Sequence, residues 1–189
     1  MKPTIIFNCG LPGSGKTTIA NLLAERLGLH VVDIDASVRL PLIGKPDPHP
    51  DKSDIALMRD GRQMAVSWDL MFETINCYAR EGWSGIFVGT LSSKKWGQDR
   101  LASILAKYAD RAPKILYHRV VNDIEAEMRR RFANRRFGVD YVGATNSFER
   151  WQVLATRYEP IVLPHLELDT SSPNTPNDCF LKALDYVLQ

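Results

Sequence analysis

Apolar positions along the chain switch repeatedly between the two-residue period of a strand and the 3.6-residue period of a helix. Thr4-Ile5-Ile6-Phe7-Asn8-Cys9 is short, apolar and rich in β-branched residues, the composition of a buried strand. After the glycine-rich stretch that follows it, Ile19, Leu22, Leu23 and Leu27 recur at helical spacing. Strand-like segments near residues 4–9, 30–34, 84–89, 114–119 and 165–169 alternate with helical patterns, without internal repeat or low-complexity tract. This alternation predicts an α/β fold: a five-stranded parallel sheet with helices on both faces. The longest helical pattern carries Met64, Trp68, Met71, Phe72, Ile75 and Tyr78 on one stripe and ends at Gly82; such a stripe packs into the core. Ahead of it, Leu40 to Pro50 contains four prolines, which predicts a loop. A loop leaving the carboxyl end of a strand borders the ligand crevice of an α/β sheet.

A length of 189 residues with 44% hydrophobic content suits one core and one domain. Cys9, Cys77 and Cys179 are far apart and show no C-x-x-C spacing, so neither a zinc site nor a disulfide framework is predicted and a reducing, cytoplasmic setting fits. The brief apolar run at the start leads straight into the glycine-rich stretch and leaves no room for a signal peptide. No run of eighteen apolar residues occurs, and no membrane span is predicted. The net charge of +2 hides a local concentration: Arg129, Arg130, Arg131, Arg135 and Arg136 lie within eight residues. Basic charge gathered in one place suits a few phosphates better than a nucleic-acid surface.

Gly10-Leu11-Pro12-Gly13-Ser14-Gly15-Lys16-Thr17 is a complete Walker A loop, G-x-x-x-x-G-K-[ST], between a strand and a helix. Gly10, Pro12, Gly13, Ser14 and Gly15 would curl the backbone around phosphates, and the amides of Lys16, Thr17 and Thr18 would add the positive end of a helix. Lys16 would reach the β- and γ-phosphates of ATP or GTP, and the Thr17 hydroxyl would ligate Mg²⁺. The second strand ends in Val31-Val32-Asp33-Ile34-Asp35. If it stays extended, both carboxylates share one face beside the loop. Asp33 is then the metal-side acid and Asp35 the base for an attacking hydroxyl; the alternative for Asp35 is a cap on a short turn, Ala36 to Arg39.

The loop GLPGSGKT followed by VVDID, with Arg39 four residues past Asp35, resembles the small P-loop kinases: shikimate and gluconate kinases and the polynucleotide-kinase-like ATPases. The resemblance implies a three-layer P-loop NTPase fold in a single domain, residues 1–189. Its core would be 1–39 and 84–189, its acceptor side 40–82, and its arginine-bearing lid about 129–145. It implies that Asp35 contacts the acceptor hydroxyl and that Arg39 orients the acceptor. Gly85-Ile86-Phe87-Val88-Gly89-Thr90 should lie next to the phosphate loop. It lacks the triple glycine of shikimate kinases and the strand-end aspartate of polynucleotide kinases; Gly89-Thr90-Leu91-Ser92-Ser93 is more similar to gluconate kinases.

In such kinases the helix entering the lid carries arginines that close over the transferring group, which points to Arg131 and Arg135, an i, i+4 pair. An arginine near Arg157 can touch the acceptor, as can one near Arg59 or Arg62. The resemblance also implies that the turn after the last strand, around Ser171 and Pro173, contacts adenine through its backbone. His30, His118 and His165 read as structural. The expectation is a kinase that uses ATP and Mg²⁺ on a hydroxyl of a small metabolite. A kinase of nucleotides or nucleic-acid 5′-hydroxyls, and an ATP-binding switch without acceptor, are the alternatives.

Overall fold

In a computed structural model of the chain, residues 3–43, 54–91, 97–108, 113–134 and 148–189 are described, without the side chains of 40, 43, 54–61 and 150. The strands are β1 (Ile5–Cys9), β2 (Val31–Asp33), β3 (Gly85–Val88), β4 (Lys114–Arg119) and β5 (Leu166–Asp169). All pair in parallel, in the order β2-β3-β1-β4-β5. The helices are α1 (Lys16–Leu27), α2 (Asp54–Glu81), α3 (Asp99–Ala106), α4 (Ile124–Asn134), α5 (Phe148–Thr156) and α6 (Pro176–Leu188). A π-helix, Ile34–Ile43, follows β2 directly.

Strand alternation builds the two cores. Ile5, Phe7 and Cys9 face one side, where Met71, Phe72 and Ile75 of α2 and Leu101 and Ile104 of α3 close over them. Ile6 faces the other side, covered by Ile19, Ala20 and Leu23 of α1 and Cys179, Ala183 and Val187 of α6. Every residue of β1 and β3 is buried, as strands covered on both faces must be. A smaller cluster joins Met128 and Phe132 of α4 to Phe148 and Trp151 of α5, with Leu11 of the glycine loop against it. The loop therefore rests on the α4–α5 pair as well as on the sheet.

Two expectations change. Of the loop predicted over Leu40 to Pro50, the described part up to Ile43 instead continues a helical segment that begins at Ile34 and runs through Pro41, and residues 44–50 lie outside the described residues; a wide helix of i→i+5 bonds leaves a different set of amides engaged than the α-helix that proline breaks. Strand β2 stops at Asp33, so Asp33 and Asp35 do not share a face through strand alternation. Helix α5 ends at Thr156, and Tyr158 beyond it stacks on Tyr117 at 6.1 Å between ring centroids.

Candidate active site

The glycine loop leaves β1 at its carboxyl end, between β3 and β4. Gly10 has φ +135°, and a Cβ there would lie 2.3 Å from the carbonyl oxygen of His118, so only glycine allows β4 this close. Gly15, at φ 88°, turns the chain into α1 in a left-handed conformation and offers the first turn no side-chain cap. The opening amides of α1 are thus left to face the cavity, the arrangement that receives phosphate oxygens. The Lys16 ammonium donates to Leu11 O at 2.8 Å, and Ser14 N donates to the same oxygen at 3.2 Å. Thr17 Oγ1 donates to Asp33 Oδ2 at 3.3 Å. A hydroxyl and a carboxylate side by side are hard oxygen donors, the set that Mg²⁺ takes.

Asp33 is also the cap of the π-helix: its Oδ1 accepts from Asp35 N at 2.9 Å and Ala36 N at 3.2 Å. That capping duty, weighed in the sequence for Asp35, belongs to its neighbour. Asp35 sits in the first turn of the π-helix and pairs with Arg39 at 3.2 Å; the Arg39 side chain is 4% exposed. The floor of this end is Val88, Gly89 and Thr90. Trp68 of α2 presses so closely that a Cβ on Gly89 would come within 2.6 Å of its ring.

At the opposite end, Arg131 joins three elements. Its Nε donates to Glu127 Oε1 at 2.7 Å, and its Nη1 donates to Gly13 O at 2.9 Å and Thr170 Oγ1 at 3.2 Å. Its Nη2 donates to Thr170 O. Arg130 forms a bidentate pair with the same carboxylate, at 2.9 and 2.7 Å. Arg130 first, then Arg131, hold the buried Glu127 carboxyl down at about 2 against the opposing effect of desolvation. Arg129 pairs with Glu125 at 2.9 Å, lies near Glu149 at 3.8 Å and covers the Phe148 ring at 4.2 Å. The basic run is therefore matched by carboxylates at Arg129, Arg130 and Arg131.

One cavity of about 1000 Å³ connects these ends. It runs from Glu127, Arg131, Asn134, Ser172 and Asn174 across Gly13, Lys16 and Thr17 to Asp33, Asp35 and Thr90. A family model described as an AAA domain (AAA_33) matches residues 5–161. The chain belongs to this P-loop kinase-like family. No curated protein sequence matches it. Among solved structures, it is similar to a candidate kinase from Chloroflexus aurantiacus J-10-fl at 22% identity and TM-score 0.68, over 98% of this chain and 99% of that one. A gluconokinase from Sinorhizobium meliloti 1021 matches at 13% identity and TM-score 0.63, over 98% and 92%. The APS kinase CysC of Mycobacterium tuberculosis, solved with AMPPNP and APS, matches at 14% identity and TM-score 0.62, over 100% and 99%.

In this P-loop kinase-like domain the residues singled out from sequence are placed differently with respect to the cavity. Pro12, Gly13, Gly15, Lys16, Thr17, Thr18, Asp33, Asp35 and Arg131 all line the cavity. Gly10 and buried Ser14 lie beneath it as scaffold, and Arg39 lies behind Asp35. Arg62 and Arg157 are exposed and line no part of it. Beyond β5, Ser172 and Asn174 line the cavity, rather than Ser171 and Pro173; Ser171 is buried, its N and Oγ both donating to Asp169 Oδ1. Arg135, Arg136, the rest of the expected lid, Ser92, Ser93 and Pro46 to Pro50 lie outside the described residues, and so does the side chain of Arg59.

Sequence reasoning missed Glu127, whose signal was its position three and four residues before Arg130 and Arg131. It also missed what His118 does under the loop. His118 Nε2 contacts Asn8 Oδ1 at 2.8 Å between β4 and β1. Burial, and then the nearby Lys16 charge, lower the imidazole from 6.5 to about 3. A histidine kept neutral in the fold contributes stability that is fully present above its unfolded pKa of about 6.5 and is lost as pH falls toward the folded value. By pH 5 the loss from this one group amounts to about 2 kcal/mol. Urea unfolding at pH 7 and pH 5 is expected to show this decrease in the wild type and a smaller one in His118→Gln; equal decreases would contradict it.

Proposed function

We propose that the protein is an ATP- and Mg²⁺-dependent phosphotransferase that moves the γ-phosphoryl group to a hydroxyl of a small metabolite. The observation that carries this reading is the continuous cavity lined by Lys16 and Thr17, by Asn134, Ser172 and Asn174 on the side of Arg131, and by Asp35 and Thr90 on the side of Asp33. A carboxylate at the second end can take the proton of an acceptor hydroxyl. The gluconokinase and the APS kinase among its structural relatives support the reading at the level of fold.

Thr17 and Asp33 are the residues that would hold Mg²⁺, which supplies charge neutralisation at the phosphate oxygens. Lys16, at present on Leu11 O, would exchange that carbonyl for β- and γ-phosphate oxygens. The amides at the start of α1 would hold the same oxygens. The acceptor oxygen bonds to the γ-phosphorus as the bond to the β,γ-bridging oxygen breaks, ADP leaves, and the acceptor proton passes to Asp35. Alignment and charge carry most of the rate. Arg39, buried against Asp35, keeps that carboxylate directed and acts on the acceptor through it.

Arg131 acts in this reading by holding the loop. A catalytic contact with the transferring group, as its place before the lid implied, would require its bonds to Gly13 and Thr170 to be exchanged. Arg131→Lys keeps the charge but cannot bridge Glu127, Gly13 and Thr170 together. It is expected to raise KM for ATP roughly tenfold or more while kcat falls less, losing the equivalent of about one charged hydrogen bond. A kcat reduced on the order of a thousandfold with KM kept would instead identify Arg131 as a transition-state contact.

The experiment for the proposal is ADP release with Mg²⁺ and ATP across sugar acids, shikimate, nucleosides, nucleoside monophosphates, aminocyclitols, phenicols and 5′-hydroxyl oligonucleotides. Stimulation by one small hydroxyl compound supports the metabolite kinase. Stimulation by the oligonucleotide alone supports a nucleic-acid kinase, against which the carboxylate pairing of Arg129, Arg130 and Arg131 argues. Tight ATP binding with no stimulation supports a switch.

A further inference from the structure

Asp33 divides one carboxylate between two elements. Oδ2 accepts the Thr17 hydroxyl at the start of α1, and Oδ1 accepts the amides of Asp35 and Ala36 at the start of the π-helix. The bracket is closed from the other side, because Asp33 N donates to Ser37 Oγ at 3.1 Å. The segment fixed in this way carries Asp35 in its first turn and Arg39 one turn on, buried and ion-paired with it.

We propose that Asp33 is a positioning residue for Asp35: by capping the π-helix with one oxygen while the other faces Thr17, it couples the metal side of the phosphate loop to the direction of the catalytic base. The mechanical reason is that the two oxygens belong to one rigid plane. Any pull on Oδ2 rotates Oδ1 relative to the amides of Asp35 and Ala36. The segment is sensitive to that rotation because a helix of i→i+5 bonds is intrinsically poor and relies on its ends and packing, and an N-cap of this type is worth about 1 kcal/mol. Metal and nucleotide that held Oδ2 in place would restrict that rotation and so tighten the acceptor side before any acceptor arrives. The significance of this coupling rests on Asp35 being the base, but the coupling itself can be read without turnover.

The test uses the full chain and the variants Asp33→Asn, Asp33→Ser and Asp33→Ala. Hydrogen exchange is followed at the amides of Asp35 and Ala36, and AMP-PNP binding is titrated calorimetrically with and without Mg²⁺. Asparagine and serine cap as aspartate does, so both variants are expected to keep near wild-type protection, whereas alanine raises exchange roughly five- to tenfold. Both capping variants lose the Mg²⁺-dependent part of AMP-PNP affinity. In the wild type, Mg²⁺ with AMP-PNP slows exchange at the two amides; in Asp33→Asn it does not. Equal exchange in the alanine and asparagine variants, or no effect of Mg²⁺ and AMP-PNP on the wild type, overturns the proposal. If Asp33→Ala does not fold, Asp33→Ser decides: lost protection there overturns the cap. Failure of the kinase reading is visible separately, as wild-type protein that shows the exchange pattern but phosphorylates no acceptor.

Discussion

Asp35→Asn is expected to lower acceptor-dependent phosphoryl transfer by about two to four orders of magnitude, the range that a positioned general base contributes. The amide keeps the shape of the carboxylate and an oxygen facing Arg39, so the ion pair at 3.2 Å loses its negative member. Stability falls by roughly 1 to 3 kcal/mol, since buried Arg39 loses a counter-charge while retaining an acceptor. ATP affinity changes little, because Asp35 stands at the acceptor end of the cavity, beyond Lys16 and Thr17. Calorimetric ATP binding beside kcat for the stimulating acceptor separates these effects. Turnover within about tenfold of the wild type would remove Asp35 from the role of base.

Lys16→Ala is the second large effect, on the order of a hundred- to a thousandfold in kcat/KM for ATP, as for the loss of one preorganised charge at developing phosphoryl charge. Its cause is local. The ammonium is held at Leu11 O, 2.8 Å away, inside the loop that would surround the phosphates. Truncation removes the only lysine lining the cavity among the described residues and leaves the Leu11 carbonyl with the Ser14 amide as its donor. A second readout is independent of turnover. The Lys16 charge is, after burial, what lowers the His118 imidazole, so the His118 titration followed by NMR should move upward in Lys16→Ala while remaining below the ordinary value. An unmoved titration would show that the two groups do not sense each other.

The phosphate loop was fully legible in the sequence because its chemistry fixes residue types at fixed spacing. Glycines are needed where φ is positive, and Lys16 and Thr17 must open a helix. The five strands were legible because buried parallel strands are apolar runs, but their order was not, since it is set by crossover packing far apart in the chain. Asp33 and Asp35 were placed at the site for the wrong geometric reason. Strand alternation puts two such residues on one face, whereas here a cap at Asp33 turns the chain into a helix that delivers Asp35 to the same cavity. The π-helix itself carries no pattern in the sequence, and Pro41 pointed away from any helix. Charge was the least legible property. A run of arginines reads as free positive charge, yet Glu125 and Glu127 stand at i, i+4 before Arg129 and Arg131 and take up much of it. Arg62 and Arg157 are exposed and line no part of the cavity, a placement that depends on how their segments pack and that family position along the chain does not carry.

The central claim is transfer to an organic hydroxyl, and following the label of γ-³²P-ATP with Mg²⁺ in the presence of the stimulating acceptor tests it most directly. The account predicts label in an alkali-stable phosphate ester of the acceptor, formed by the wild type and nearly absent with Asp35→Asn. Label recovered only as inorganic phosphate, at the same rate in both proteins, would contradict it.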